Sequence, residues 1–544
     1  MSTSLSRRRF LATGSAFSGS LLLGGCGSSD SNATAPAATS PAATTPAAPA
    51  VVVSEAERPK LPSGMQFGDV ISDQGIVWSR TDRNAIMVVE YDTTDRFANA
   101  SRIVGPAATA DTDFTTRVDL TGLPAGQNVF VRVSYVDPNN SKIASEPLVG
   151  QFRTAPADGT KPVRFHWSGD QAGQGWGINT DFGGYRIYEA MRKRDPDFFI
   201  HSGDTIYADG PIAAKVTAEN NAIWTNLVTE EVSKVAETLK EFRGRQAYNM
   251  LDANFRKFAL QVPQIWQWDD HEVVNNYSGS KDLSGDARYT VKDVAVLAAR
   301  GQRAFLEYAP MRYFKQPEQQ RVYRKIAHGP LLDVFVLDMR SYRGPNSANL
   351  QTTESADTAF LGSTQVDWLI GELAKSTATW KVIAADMPIG LGVPDGKDAQ
   401  GNDKWEAIAN GNNGAPSGRE LEIARLLKAT KAVKNVVWIT ADVHYCAAHY
   451  YDPAQAQFTD FSPFWEFVAG PMNAGAFGPN PLDKTFGPSV VFQKAPPNPG
   501  ASPLTGYQFF GEVQIDPASK ALTVELIDLN GVSQFSKTLP PQLG

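Results

Sequence analysis

Short apolar runs that stop at ligand-grade side chains constrain this chain more than any other feature. RFHWSGDQ, DFFIHSGDTIY, QIWQWDDHEVVNN and VVWITADVHY each hold a strand-like run, such as Phe198 to Ile200, Ile265 and Trp266, or Val436 to Ile439, followed closely by Asp, His, Asn or Tyr. Open α/β sheets bind ligands in the crevice beyond the carboxyl ends of their strands, where loops from different strands converge. Residues far apart in sequence are therefore predicted to share one site. Carboxylates, an imidazole and a phenol gathered there read as a two-metal hydrolase centre.

From about Pro162 onward, apolar strands alternate with helix-like stretches such as GYRIYEAMRKR, VKDVAVLAARGQRAFLEYAP and TQVDWLIGELAKSTATW, the last leading into KVIAADMPIG. That alternation implies a layered α/β domain, assigned to residues 158–544. Ahead of it, GIVWSR, NAIMVVEYD, TTRVDLTGL, QNVFVRVSYVD and LVGQFRT recur between turn signals and imply a small antiparallel β-sandwich over residues 61–157. The stretch from Val118 to Pro124, followed by Val129 to Tyr135, resembles a fibronectin type III domain where it turns into a core strand. Near the end, GYQFFGEVQID and ALTVELIDLNG read as a hairpin completing a sheet. The segments Ala213 to Arg243 and Leu391 to Ala415 are expected to cover the site entrance.

With 544 residues the chain exceeds one ordinary core, and its net charge of −7 excludes the massed Lys and Arg of a nucleic-acid footprint. The start, Ser6-Arg7-Arg8-Arg9-Phe10-Leu11 followed by a short apolar run to Leu23-Gly24-Gly25-Cys26, resembles a twin-arginine export signal joined to a lipoprotein cleavage site. Residues 1–26 are thus expected to be a processing signal, with Cys26 lipidated. The protein would be exported, as a periplasmic or outer-surface lipoprotein, and residues 27–60, rich in Ala, Ser, Thr and Pro, would form a disordered tether. Cys446 is then left without a disulfide partner.

Within the candidate centre, Asp204 and Tyr207 stand three apart just after a strand, so one turn can aim both at one point. Adding Asp170 and His444 gives a hard, anionic donor set that suits Fe(III), and it resembles the ferric half of purple acid phosphatases. Asp270, Asn275 and Asp442 offer oxygen only, which favours Ca²⁺, Mg²⁺ or Mn²⁺, with Asp204 available as a bridge. In the wider metallophosphoesterase pattern another His stands two before the last ligating His. Here Asp442 takes that place.

Together with WDDHEVVNNY, DVFVLDMRSYR and GSTQVDWLIGEL…WKVIA, these features resemble the alkaline phosphatase D (PhoD) family, over most of the chain from about Phe67. The resemblance implies a four-layer calcineurin-like metallophosphoesterase domain preceded by the fibronectin III-like sandwich, with an iron–calcium centre that hydrolyses phosphomonoesters and phosphodiesters. Carried over, it implies that Asp204 bridges the metals, Tyr207 and His444 bind Fe³⁺, and Asn275 and Asp442 bind Ca²⁺. The chain departs at one place: the best-known members offer iron a Cys where SGDQ puts Asp170.

No protein nucleophile is needed, because two ions can activate water. His271 is the candidate proton donor to the leaving group. Arg340 and Arg343 are candidates to clamp phosphate or to pair with Asp338, with the structural role favoured. Asp269 and Asp270 compete for one ligand position, as do Asn275 and Asn276. His166 and His201 read as core histidines, His328 and His449 as surface or supporting residues, and Cys446 as a small buried hydrophobe. QAGQGWG reads as a flexible turn ahead of a phosphate cradle, since it lacks the Lys and Ser/Thr of a P-loop. Phe464, Trp465 and Phe467 read equally as an apolar wall for a leaving group or as packing. The rival functions are a phospholipase-D-like or nuclease specialisation of the same site, and a non-catalytic, calcium-stabilised surface binding protein.

Overall fold

Strands that bury both faces make the centre of this molecule. In the strand Val163–Ser168, Val163, Phe165 and Trp167 point one way and His166 the other; in Phe198–Ser202, Phe198 and Ile200 face one core and Phe199 another. The period of two is what a pleated backbone dictates. The computed structural model describes residues 53–315 and 317–542. The signal expected at residues 1–26, Cys26 included, and most of the tether lie outside the described residues.

Two large sheets stack face to face. One is nine-stranded, in the order Ser533–Leu539, Leu522–Asp528, Phe509–Ile515, Val163–Ser168, Phe198–Ser202, Gln264–Gln267, Met65–Gly68, Gln74–Arg80 and Thr115–Thr121. The other is seven-stranded, in the order Arg324–His328, Leu332–Val336, Trp380–Ala384, Val436–Thr440, Phe464–Val468, Cys446–Tyr451 and Pro488–Lys494. Val163, Phe165, Trp167 and Ile200 of the first pack with Val334, Val336, Val382 and Ile439 of the second, all wholly buried. Each such side chain contributes about 1.5–3 kcal/mol by leaving water.

Helices cover the outer faces. Arg186–Arg192, Leu239–Asn249, Ala253–Ala259 and Val294–Tyr308 share a core with Phe199 and Trp266, while Ser363–Lys375 and Glu420–Ala429 cover Phe335, Ile383 and Trp438. Val294–Tyr308 shows why such a helix docks: Asp293 caps its first turn through Ala295 N, and Leu297, Gly301, Ala304, Phe305 and Tyr308 return to the buried side every three or four residues. The expected four layers, helix, sheet, sheet and helix, are present.

The sandwich sets the sheet Ser101–Ala108, Ala85–Asp92, Asn128–Val136 and Leu148–Arg153 over Met65–Gly68, Gln74–Arg80 and Thr115–Thr121, around Phe67, Val77, Met87, Val131 and Phe152. Its second layer continues the nine-stranded sheet, joined through Gly68 beside Gln264. A Cβ on Gly68 would lie 2.0 Å from Pro310 O, so only glycine allows that junction.

Some readings change in the fold. His328 and His449, expected at the surface or in support, are 2% and 0% exposed, and His449 Nδ1 sits 3.2 Å from Glu466 Oε2. Phe464 and Phe467 pack into the two cores and Trp465 stacks on Phe467 at 5.6 Å, so these rings are packing and not a substrate wall. Helices Leu239–Asn249 and Glu420–Ala429 extend the strand–helix alternation beyond the stretches singled out as helix-like in the sequence. No helix among the described residues is long and apolar enough to cross a membrane.

Candidate metal centre

At their carboxyl ends the central strands turn sharply. Asp170 (φ 66°), Asp204 (φ 49°), Asp442 (φ 63°) and His444 (φ 61°) all take the left-handed region. For a non-glycine residue that conformation costs on the order of 1 kcal/mol and collects where function requires it. Neighbouring glycines make room. A Cβ on Gly173 would lie 2.5 Å from Tyr207 Cζ, and one on Gly470 would lie 2.3 Å from Asp170 Oδ2. QAGQGWG is thus the turn that lets the Tyr207 ring close on the centre.

The ligand atoms fall into three overlapping groups, Asp170 with Asp204 and His444, Asp204 with Asp270 and His271, and Asp269 with Asp270 and Asp442, each within 4.8 Å of one another. Asp204 and Asp270 each belong to two of them, so both carboxylates link neighbouring groups. Tyr207 Oη donates to His444 Nε2 at 2.8 Å, and His444 Nε2 lies 3.7 Å from Asp170 Oδ1. His444 Nδ1 donates to Gly475 O, so the Nε2 lone pair faces the centre. Burial holds His444 down to a pKa of about 4, which keeps it neutral as a ligand must be.

These residues fit metal ions. Asp170 Oδ2, Asp269 Oδ2, Asp270 Oδ1 and Asp386 Oδ1 are buried and accept no hydrogen bond among the described residues. A buried carboxylate oxygen without a partner is expensive, and a cation completes it. Burial first, and then the repulsion of neighbouring carboxylates such as Asp270, pushes the carboxyls of Asp170 and Asp204 well above their usual range despite His271 nearby. Such crowding calls for positive charge.

The members of the two open choices differ in their partners. Asp269 and Asp270 both enter ligand groups, but Asp269 also pairs with Arg340. Asn276 sends its amide to Pro394 O at 3.2 Å and Asp395 Oδ1 at 3.0 Å, and its Oδ1 accepts from Asn275 Nδ2 at 2.8 Å. Asn275 Oδ1 accepts nothing from the described residues, and Asn275 N is held by Asp209 Oδ2 at 3.1 Å. The oxygen left free is that of Asn275.

Arg340 lies beneath the centre, 1% exposed, with its guanidinium spent on Asp269, Asp386, Glu406 and Asp442. A fork so filled turns no donor toward a substrate phosphate, so this candidate clamp is a holder of carboxylates. Its tie to Asp338 runs through the backbone, Arg340 N donating to Asp338 Oδ1 at 3.0 Å. Arg343 Nη2 donates to Asn346 Oδ1 at 3.2 Å and to Glu406 O, and not to Asp338.

Sequence reasoning missed Asp209 and Glu272. Asp209 Oδ1 accepts from His271 Nδ1 at 2.6 Å, and the His271 ring lies 4.1 Å from that of Tyr207. Burial alone would push His271 down, but the carboxylates of Asp209, Asp270 and Asp204 overcome it and raise it well above the usual imidazole range. Glu272 accepts from Thr205 N and Oγ1 at 2.6 Å and from Asp269 N at 2.7 Å, tying two ligand-bearing turns together. The signal was available in YADG, two residues past Tyr207, and in DDHE, but nothing in spacing alone shows which polar neighbour turns inward.

Known proteins match along most of this length. The family model described as PhoD-like phosphatase matches residues 165–526, and its N-terminal-domain model matches residues 45–156. The chain is 27% identical over 406 residues to alkaline phosphatase D of Bacillus subtilis (strain 168), covering 70% of this chain and 64% of that relative, a little under two thirds of its length. Among solved structures it resembles that of PhoD, at 20% identity and a TM-score of 0.66 over 90% of both chains. It also resembles a purple acid phosphatase from yellow lupin seeds, at 13% identity and a TM-score of 0.51 over 89% of this chain and 74% of that one. At these identities the two structures bear on fold alone.

Proposed function

Because the chain belongs to the PhoD-like phosphatase family, we propose that it is a metal-dependent phosphatase and phosphodiesterase. The observation that carries this reading is the chain of adjoining candidate ligand groups linked by Asp204 and Asp270, with carboxylate oxygens around them that have no partner among the described residues. Tyr207, Asp170 and His444 would hold Fe³⁺, and Asp270, Asn275 and Asp442 would hold Ca²⁺, or Mg²⁺ or Mn²⁺, because the first set mixes phenol, imidazole and carboxylate and the second is oxygen alone. Two metal ions bound there would supply an activated water and offset the charge of the phosphoryl group.

The chain's own residues do the rest. Asp209 fixes the tautomer of His271, with Nδ1–H directed at its carboxylate and Nε2 left for the leaving-group oxygen. Arg340 and Glu272 keep Asp269 and Asp442 in register with Asp204. The arginine-rich start and Cys26 support export through the twin-arginine machinery and a lipid anchor in the periplasm or on the outer surface, with small phosphate esters as substrates.

The test is purification with iron and calcium, elemental analysis, and a panel of phosphate monoesters, dinucleotides and phospholipids. Turnover of the small esters that is lost on chelation and restored by metal is the expected result. Hydrolysis confined to phospholipids or polynucleotides would replace the reading with one of its rivals. Metals that alter only the melting temperature, with no hydrolysis, would establish the binding protein instead.

A further inference from the structure

A cavity of about 530 Å³ is lined in part by residues that follow strand ends, Trp268 just after Gln264–Gln267 and Tyr342 beyond Leu332–Val336. Trp268, Tyr277, Gln302, Gln320, Arg321 and Tyr342 are among the residues lining it. The chain links wall and centre closely: Trp268 comes two residues before Asp270, Tyr277 comes two after Asn275, and Tyr342 comes two after Arg340. Two residues of chain span at most about 7 Å, so the wall is built from the same turns that carry the ligands.

The lining has a specific chemistry. Tyr277 is 9% exposed and Tyr342 is 42% exposed. Tyr342 meets Tyr323 edge to face, with centroids 5.7 Å apart, and both Tyr277 and Tyr342 line the cavity with no ring contact between them among the described residues. Arg321 lies 4.0 Å over the Tyr323 ring and 3.3 Å from Glu318, which fixes the guanidinium in place with its charge matched. Gln302 and Gln320 make no side-chain hydrogen bond among the described residues, and each amide offers both donors and an acceptor. The volume is that of a small-molecule site.

Flat aromatic faces with amide edges beside them are what a nucleobase uses, through stacking and edge hydrogen bonds. A plain alkyl alcohol uses neither. The geometry points to this cavity as a base pocket, so that the preferred esters of the neighbouring metal centre are those of nucleosides, with the base against Tyr277 and Tyr342 and its edge toward Gln302 and Gln320. This rests on the phosphatase reading above.

The test uses the full chain loaded with iron and calcium, as wild type and as Tyr342→Ala and Gln302→Ala. The kcat/KM is measured for adenosine monophosphate, phenyl phosphate and glycerol phosphate. Tyr342→Ala lowers kcat/KM for the nucleotide about tenfold, mostly through KM, and leaves glycerol phosphate unchanged. Gln302→Ala lowers it for the nucleotide but not for phenyl phosphate. An equal effect on all three esters, or none on the nucleotide, overturns the pocket, and an equal loss for phenyl phosphate with Gln302→Ala overturns the reading of a base edge. Should the wild type hydrolyse no ester, the phosphatase reading fails by itself, and calorimetric titration with adenosine, which carries no phosphate, decides the pocket. Adenosine binding weakened by Tyr342→Ala upholds it; no binding to wild type overturns it.

Discussion

Glu512 and Asp170 are both buried carboxylates beside the strand Val163–Ser168, one on the neighbouring strand Phe509–Ile515 and one just past the strand's end, yet they are built to opposite ends. Glu512 lies across from His166 in the sheet; its Oε2 accepts from His166 Nε2 and Arg194 Nε at 2.7 Å, and its Oε1 accepts from Arg194 Nη2 at 2.8 Å. Burial would raise its pKa, but Arg194 and His166 hold it well below the usual carboxylate range. Burial keeps His166 low, so the imidazole supplies a hydrogen bond and Arg194 the charge. Asp170, two residues past the strand's end, keeps an unpartnered Oδ2 and a raised pKa among like charges. A saturated carboxylate cluster stabilises the fold, whereas an unsaturated one costs stability until a ligand fills it.

The largest effect should separate the two clusters by activity. Asp204→Asn is expected to lower kcat by at least about 10³-fold and to release both metals, read by ester turnover and elemental analysis. In chelator the same variant should melt at a higher temperature than the wild type, because one repelling buried charge is gone. A lower melting temperature would show that the centre is not self-repulsive.

Glu512→Ala should do the converse. Taking the Glu512 acceptor from His166 and from Arg194 Nε is expected to lower unfolding free energy by about 2–3 kcal/mol, below the cost of breaking a fully buried pair because Arg194 is partly solvated and its Nη2 keeps Glu525 Oε2 at 2.7 Å. Denaturant melts measure it, and kcat of the folded fraction should not change. A change in kcat would couple the saturated cluster to the site.

Asp209→Asn comes next, as a probe of the oriented histidine. Turnover of esters with poor leaving groups should fall about 10²-fold, with a much smaller change for p-nitrophenyl phosphate, whose leaving group needs no proton. Equal losses for both would remove His271 from proton transfer.

The smallest effect is in pH dependence, and its sign differs between the clusters. Glu512 has a depressed folded pKa, so its stabilisation is present above the unfolded value near 4.3 and is lost as pH falls through the folded value. Asp170 and Asp204 have raised folded values, so metal-free protein should gain stability as pH falls from neutrality toward the unfolded pKa near 3.9. Melting temperatures in chelator between pH 7 and 3 should first rise and then fall, and Glu512→Gln should blunt only the fall. A monotonic decline would contradict the crowding at the centre.

Much of this could be read in advance, for a physical reason. Doubly buried strands need uninterrupted apolar residues, so the runs before Asp170, Asp204, Asp270 and Asp442 betray both the sheet and the rim on which ligands stand. Tyr207 and His444 stood out because a phenol and an imidazole so placed have few other uses. Asp209, Glu272 and Glu406 did not, since a carboxylate in a loop looks the same whether it faces solvent or an arginine 66 residues away, as Glu406 faces Arg340.

Local order along the chain was enough to indicate a layered α/β domain, the sandwich, and the strand-end placement and donor types of the candidate ligands, because backbone period and side-chain type act over a few residues, while the four-layer arrangement came from the family resemblance. Which nitrogen of His444 faces the centre, which asparagine keeps a free oxygen, where Arg340 spends its charge, and that the sandwich shares its sheet with the catalytic layers were decided only when distant segments met. Those outcomes depend on hydrogen bonds and burial between elements up to hundreds of residues apart, as between Arg194 and Glu512, and no short stretch of sequence contains both partners.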